Sequence, residues 1–203
     1  LNTTTKPHPE PIGSIHHDFE ELGALLAEMG QDAALIEIVE QSAESIVACL
    51  RAGGKLMLAG NGASAGDAQH LACDFVSRFA YDRAPLAAIS LSTDSSALTA
   101  LGNDYGFEMV FARQIEALGK PGDCLLVLTT SGSSPNILKA LAAARRLGIT
   151  SIAMTGARGR ALAKDVEHHL VVPSERAPRI QEAQIFLGHL ICGVVEAAIH
   201  PKR

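Results

Sequence analysis

Five short apolar runs, each closed by a turn and followed by residues at helical spacing, limit what this chain can fold into more than any other feature. They are KLMLAG (55–60), PLAAISL (85–91), DCLLVLT (123–129), ITSIAMT (149–155) and HHLVVP (168–173). Helical periodicity follows them in the segment holding His70, then at 95–101 and 106–118, at 135–147, briefly at 160–164, and at 179–200. Two further helices lead the chain, at 17–30 and 32–53, with Leu22, Leu25 and Leu26 and then Ile36, Val39, Ile46 and Leu50 at helical spacing. Strands alternating with helices form a parallel sheet covered on both faces, so the expected fold is α/β, five-stranded and parallel, with N-terminal helices added. Ligands of such sheets bind beyond the carboxyl ends of the strands, which directs attention to the loops there.

Length and composition agree with one domain. The 203 residues are 47% hydrophobic and 19% charged, a globular balance. We expect a frayed tail at 1–15 and a single domain over 16–203. A net charge of −5 argues against a nucleic-acid surface built on phosphate contacts. No apolar run approaches the roughly eighteen residues of a membrane span, and LNTTTKPHPEPIG lacks the apolar core of a signal peptide. No nucleic-acid partner, no membrane and a cytoplasmic location are therefore expected. Cys49, Cys73, Cys124 and Cys192 form no CxxC pair and sit among apolar residues, the pattern of buried free thiols. With no Trp and 4% aromatics, stacking on aromatic rings is not the expected mode of recognition.

Three stretches carry chemistry. Gly60-Asn61-Gly62-Ala63-Ser64-Ala65 fits the relaxed dinucleotide fingerprint, but the acid expected at the end of the next strand is displaced to Asp94, beyond Ser92 and Thr93. The Walker lysine is missing too. A tight strand-to-helix turn explains the glycines but leaves Asn61 and Ser64 without a task. LTTSGSSPN (128–136) gathers Thr129, Thr130, Ser131, Ser133 and Ser134 around Gly132 just before a helix, with Ser134 as N-cap and Pro135 as first helical residue. Free N–H groups, a positive helix end and several hydroxyls suit a phosphate monoester. His70 and Asp74, i and i+4, share a helix face and can bind a metal, transfer protons or form a surface hydrogen bond. On the last helix, Gln181 and Glu182 precede His189, which sits among Leu187, Leu190 and Ile191. No chemistry is assigned to His8, His16, His17, His168, His169 or His200.

Together the segments GNGASAGDAQH, LSTDSSALTALGNDYG, TTSGSSPN and RIQEAQIFLGHLICGVVE resemble the sugar isomerase (SIS) domain, and within it the phosphoheptose isomerases, over nearly the whole chain. That resemblance implies an SIS-type, flavodoxin-like three-layer sandwich. It implies interconversion of sedoheptulose 7-phosphate and D-glycero-D-manno-heptose 7-phosphate, for heptose and surface polysaccharide. It also implies a homotetramer with active sites where subunits meet, and one zinc per site. By position, the metal ligands would be His70, Asp74, Gln181 and His189, with Asp74 and His189 catalytic. The substrate would meet Asn61, Gly62, Ser64, Thr93, Asp94, Thr130, Ser131, Ser134 and Gln181.

The implied chemistry suits these residue types. Ketose–aldose isomerisation through an enediol needs a base, an acid and a stabiliser of the enediolate oxygen, which an acid, a histidine and zinc can supply. Thr129 for a usual serine, and Arg158 and Arg160, are lesser departures from the family pattern. The departure that matters most is that the usual Glu is Asp74, shorter by about 1.5 Å of reach. A misplacement that large can cost on the order of a hundredfold in rate. Two alternatives are an isomerase of a related sugar phosphate and a non-catalytic tetramer of the kind that associates with the replication initiator DnaA. Such partner-binding relatives lack the acid and the helical histidine, whereas His70, Asp74, Gln181 and His189 are all present here.

Overall fold

A computed structural model describes residues 15–202, so almost all of the expected tail lies outside the described residues. Helices α1 (Ile15–Gln31) and α2 (Ala33–Arg51) lead into β1 (Leu56–Gly60), α3 (Ala63–Val76), β2 (Ala88–Ser90) and α4 (Ser95–Tyr105). Then come α5 (Ala112–Leu118), β3 (Cys124–Leu128), α6 (Pro135–Leu147), β4 (Thr150–Gly156), β5 (His168–Val172) and α7 (Ala177–Ile199). All pairings in the sheet are parallel, in the order β2-β1-β3-β4-β5. The order reverses between β1 and β3, which opens a crevice at their carboxyl ends.

Period-two alternation divides the core in two. Leu56 and Leu58, Leu126 and Leu128, Ile152 and Met154 pack on the face covered by α2, α3 and α7. Met57, Ala59, Leu125, Val127 and Ala153 face α5 and α6 on the other side. Both faces of the central strands are therefore dry, as a parallel sheet requires. Helix starts follow local chemistry: the Asp32 carboxylate accepts from the Ala34 and Leu35 N–H groups, and Asp94 accepts from that of Ala97. The strand-leading histidines are structural, as Ser45 Oγ lies 2.8 Å from His168 Nε2 and Thr155 Oγ1 2.8 Å from His169 Nε2.

Four expectations change. Residues 106–118 are not one helix, because Gly106, at φ +87°, separates α4 from a 3-10 turn at Phe107–Met109, and α5 starts only at Ala112. Cys73 is exposed, unlike the other three free thiols. The buried stripe of α3 runs through Ser64, Ala68, Leu71, Ala72 and Phe75, and residue 73 falls off it. Ser134 is the N-cap residue of α6, with Pro135 in its first turn, but its side chain makes no capping bond. Finally, α7 is long and apolar enough, by length and composition alone, to cross a membrane. It is packed against α2 and α3 and buries Gln184 and Glu196, which makes it the domain's central helix.

Asp123 fastens the start of β3 to β1. Its buried carboxylate accepts from the N–H groups of Lys55, at 3.0 Å, and Lys120, at 2.8 Å, and from the Lys55 ammonium. Burial pushes this carboxyl up, but the Lys55 and Lys120 hydrogen bonds outweigh it and hold it below the usual carboxylate range. Its stabilising contribution is complete above the unfolded value of about 3.9 and is lost as pH falls through the lower folded value. The melting temperature should therefore fall on the acid side of about pH 4. Asp123→Asn should lower the melting temperature at neutral pH and shrink that acid drop; an equal drop in both proteins would contradict this assignment.

Candidate active site

The site begins where α3 crosses α7. A Cβ on Gly188 would lie 2.6 Å from both Leu71 methyl groups, and Leu71 is itself buried, so any larger residue there must displace Leu71 or push the helices apart. The next residue on α7 is His189, and the residue before Leu71 is His70. Close packing of one pair thus brings the two imidazoles together, with Nε2 atoms 3.4 Å apart. Asp74, one turn after His70, directs Oδ2 between them at 3.7 Å from each Nε2. Phe79 closes one side, its ring centroid 5.4 Å from that of His189.

This triangle has the character of a metal site. Asp74 Oδ2 is buried and has no hydrogen-bond partner, a costly arrangement unless a cation or proton satisfies it. Tetrahedral zinc with donors at about 2.0–2.2 Å sets donor–donor separations of roughly 3.3–3.6 Å, close to those observed. Two imidazoles and a carboxylate are a zinc-type donor set, so the residues fit the ion that the resemblance implies. Asp74, despite its short side chain, reaches both histidines.

A second feature lies at the β1/β3 crevice. A cleft of about 500 Å³ is lined by Asn61, Tyr105, Phe107, Glu108, Ser134 and Asn136, among others. Asn61 and Asn136 clasp across it through two amide hydrogen bonds of 2.9 and 2.8 Å. Each amide retains a donor and an acceptor site for a ligand. In the loop before α6, Gly132 is at φ +66°, and an added Cβ would sit 2.8 Å from Gly159 Cα. The buried Thr129 hydroxyl accepts from the Gly132 N–H and braces the loop. Ser131 Oγ accepts from Ser133, while the Thr130 and Ser134 hydroxyls are uncommitted among the described residues.

The remaining sequence candidates are distributed around these two features. Gly62 is the N-cap of α3 at φ +58°. Ser64 is buried under the β1–α3 turn, where a Cβ on Gly60 would meet its backbone at 2.4 Å. The Thr93 hydroxyl donates to the Ser90 carbonyl, and Asp94 caps α4. Gln181, the fourth metal ligand that the resemblance implies, stands eight residues before His189 on α7, about 12 Å along the axis, and is not among the three side chains that form the triangle. The cleft and the triangle are separate within one chain, because His70 lies eight residues along α3 from Gly62, again about 12 Å.

Sequence reasoning missed Asn136, Tyr105, Phe107, Glu108 and Asp67. Gly106 was the available signal for the cleft wall, since a glycine breaks helical periodicity there. Asp67, one turn before His70, has a buried Oδ2 with no partner; burial raises its carboxyl, and His70 offsets part of the rise.

Comparison with known proteins follows the same lines. Residues 19–156 match the SIS domain family. The chain is 47% identical over 189 residues to the phosphoheptose isomerase of Burkholderia pseudomallei (strain 1710b), covering 93% of this chain and 96% of that one. Among solved structures, a phosphoheptose isomerase from Francisella tularensis superposes with a TM-score of 0.85 at 39% identity, covering 89% of this chain and 95% of that one. One from Neisseria gonorrhoeae gives 0.84 at 40% identity, over 90% and 97%.

The Leu71–Gly188 contact should set the geometry of the triangle. Gly188→Ala overpacks it at a cost of about 1–3 kcal/mol, and forces α3 from α7. Thermal melting and zinc titration should show both a lower midpoint and weaker binding; unchanged zinc affinity would contradict the dependence.

Proposed function

Because the chain belongs to the phosphoheptose isomerase family of SIS-domain proteins, we propose that it interconverts sedoheptulose 7-phosphate and D-glycero-D-manno-heptose 7-phosphate in the cytoplasm, supplying heptose for surface polysaccharide. The observation that carries this reading is the convergence of His70, Asp74 and His189 around a buried carboxylate oxygen without a partner.

The phosphate is held by the Thr130, Ser131 and Ser134 hydroxyls and the N-terminus of α6, where unsatisfied N–H groups and the helix dipole favour an anion. Asn61, hydrogen-bonded to Asn136, turns its remaining amide valences to sugar hydroxyls. Gln181 contacts the sugar from α7, and Thr93 and Asp94 border it from the end of β2. Asp74 removes a proton from C1 of the ketose to give the enediol and returns a proton at C2. His189 moves the proton between O1 and O2 through Nδ1, the ring nitrogen that a metal held at Nε2 leaves free. The chemistry supplied by a zinc ion held at His70, Asp74 and His189 is polarisation of the substrate carbonyl.

The separation of cleft and triangle within one chain supports an active site completed at a subunit interface in a homotetramer. Phe186, Leu190 and Val194 leave an apolar stripe exposed along α7 beside His189, the kind of surface a neighbouring subunit covers. The complete triangle also favours an enzyme over a partner-binding protein.

Zinc-loaded protein incubated with sedoheptulose 7-phosphate should accumulate the aldose, followed by NMR. Asp74→Asn and His189→Ala should each lower kcat by about 10²–10⁴-fold, with the oligomer intact by sedimentation. No product from the native protein would overturn the assignment, and full activity in Asp74→Asn would give the base to another residue.

A further inference from the structure

Away from the reacting groups, the most fully connected charged pair is Arg83–Glu196. Both side chains are buried, at 3% and 1% exposure, and Arg83 Nε lies 3.1 Å from Glu196 Oε1. Burying two charges costs several kcal/mol per ion before their attraction is counted, so the position of the pair needs a reason. Glu196 accepts from the Phe79 N–H at 2.9 Å and the Ala80 N–H at 2.7 Å. The Arg83 guanidinium donates to the carbonyls of Asp74 and Phe75, each at 2.7 Å. Those carbonyls belong to the last turn of α3, which has no helical partners of its own to offer them.

Glu196 stands seven residues after His189 and on the same side of α7. Between them is Gly193, where an added Cβ would meet the Phe79 ring at 3.4 Å, and that ring rests against His189. One buried pair therefore grips the backbone of Asp74 through Arg83 and the backbone of Phe79 through Glu196. Both grips are referred to the helix that carries His189. The Glu196 carboxyl is pushed up by burial, but its bonds from Phe79, Ala80 and Arg83 prevail and keep it ionised.

We propose that Arg83 and Glu196 are positioning residues that fix Asp74 and Phe79 relative to His189, and so set the shape of the His70–Asp74–His189 triangle. The proposal rests on reading that triangle as the active centre. Neither residue touches substrate; each acts through the end of α3 and the loop after it.

The test compares Glu196→Gln, Arg83→Lys and Phe79→Leu with Ile46→Ala, a core truncation on α2 that lowers stability and removes no hydrogen-bonding group of this network. Arg83→Lys keeps the charge opposite Glu196 but cannot span both carbonyls. Phe79 is 36% exposed, so its variant folds even if the buried ones do not. Zinc affinity by competition with a chelating dye should fall about tenfold to a hundredfold in the three network variants, and stay native in Ile46→Ala despite its lower melting temperature. Steady-state kinetics should show the loss in kcat with KM nearly unchanged. Native zinc affinity and native kcat in Phe79→Leu and in whichever of Glu196→Gln and Arg83→Lys fold would overturn the proposal. If the native protein binds no zinc, the metal reading fails by itself, and positioning is judged on kcat: native kcat in Phe79→Leu and in whichever of Glu196→Gln and Arg83→Lys fold overturns it.

Discussion

The seating of Leu71 against Gly188 is the contact on which the site depends. It is an apolar contact with no chemistry of its own, yet it sets how closely α3 and α7 approach. At that separation the adjacent residues His70 and His189 meet, and Asp74 is one turn from both. The buried Arg83–Glu196 pair holds the far end of the same crossing. Dense packing and a few buried hydrogen bonds thus give three polar side chains a geometry that their own rotamers could not hold.

The fold separates two tasks. The β1/β3 crevice, where parallel topology reverses, presents hydroxyls and a helix N-terminus suited to a phosphate. The helical layer presents the His70, Asp74 and His189 side chains about 12 Å away along α3. On α7, beside His189, the apolar side chains of Phe186, Leu190 and Val194 are exposed. The short Asp74 side chain still brings Oδ2 within 3.7 Å of both histidine Nε2 atoms in this backbone arrangement.

Much of this was legible in the sequence, wherever the governing interactions are local. The bounds of α6 were evident because Ser134-Pro135 starts it and a glycine, Gly148, follows it. His70 and Asp74 could be paired from their spacing alone. His189 joins them from 119 residues away, and only the resemblance to a family pointed to it. The amide clasp between Asn61 and Asn136, 75 residues apart, and the Glu196 grip on Phe79, 117 apart, have no local signature. The exposure of Cys73 and the break at Gly106 went unread for a simpler reason: apolar neighbours outweighed helical phase in one case, and periodicity outweighed a glycine in the other.

The most direct test of the central claim is diffraction at the zinc absorption edge from crystals grown with zinc and sedoheptulose 7-phosphate. One anomalous peak per chain is expected, within about 2.0–2.2 Å of Nε2 of His70 and His189 and of the Asp74 carboxylate, with the phosphate at Thr130, Ser131 and Ser134. A peak at other side chains, or none with the sugar phosphate bound elsewhere, would contradict it.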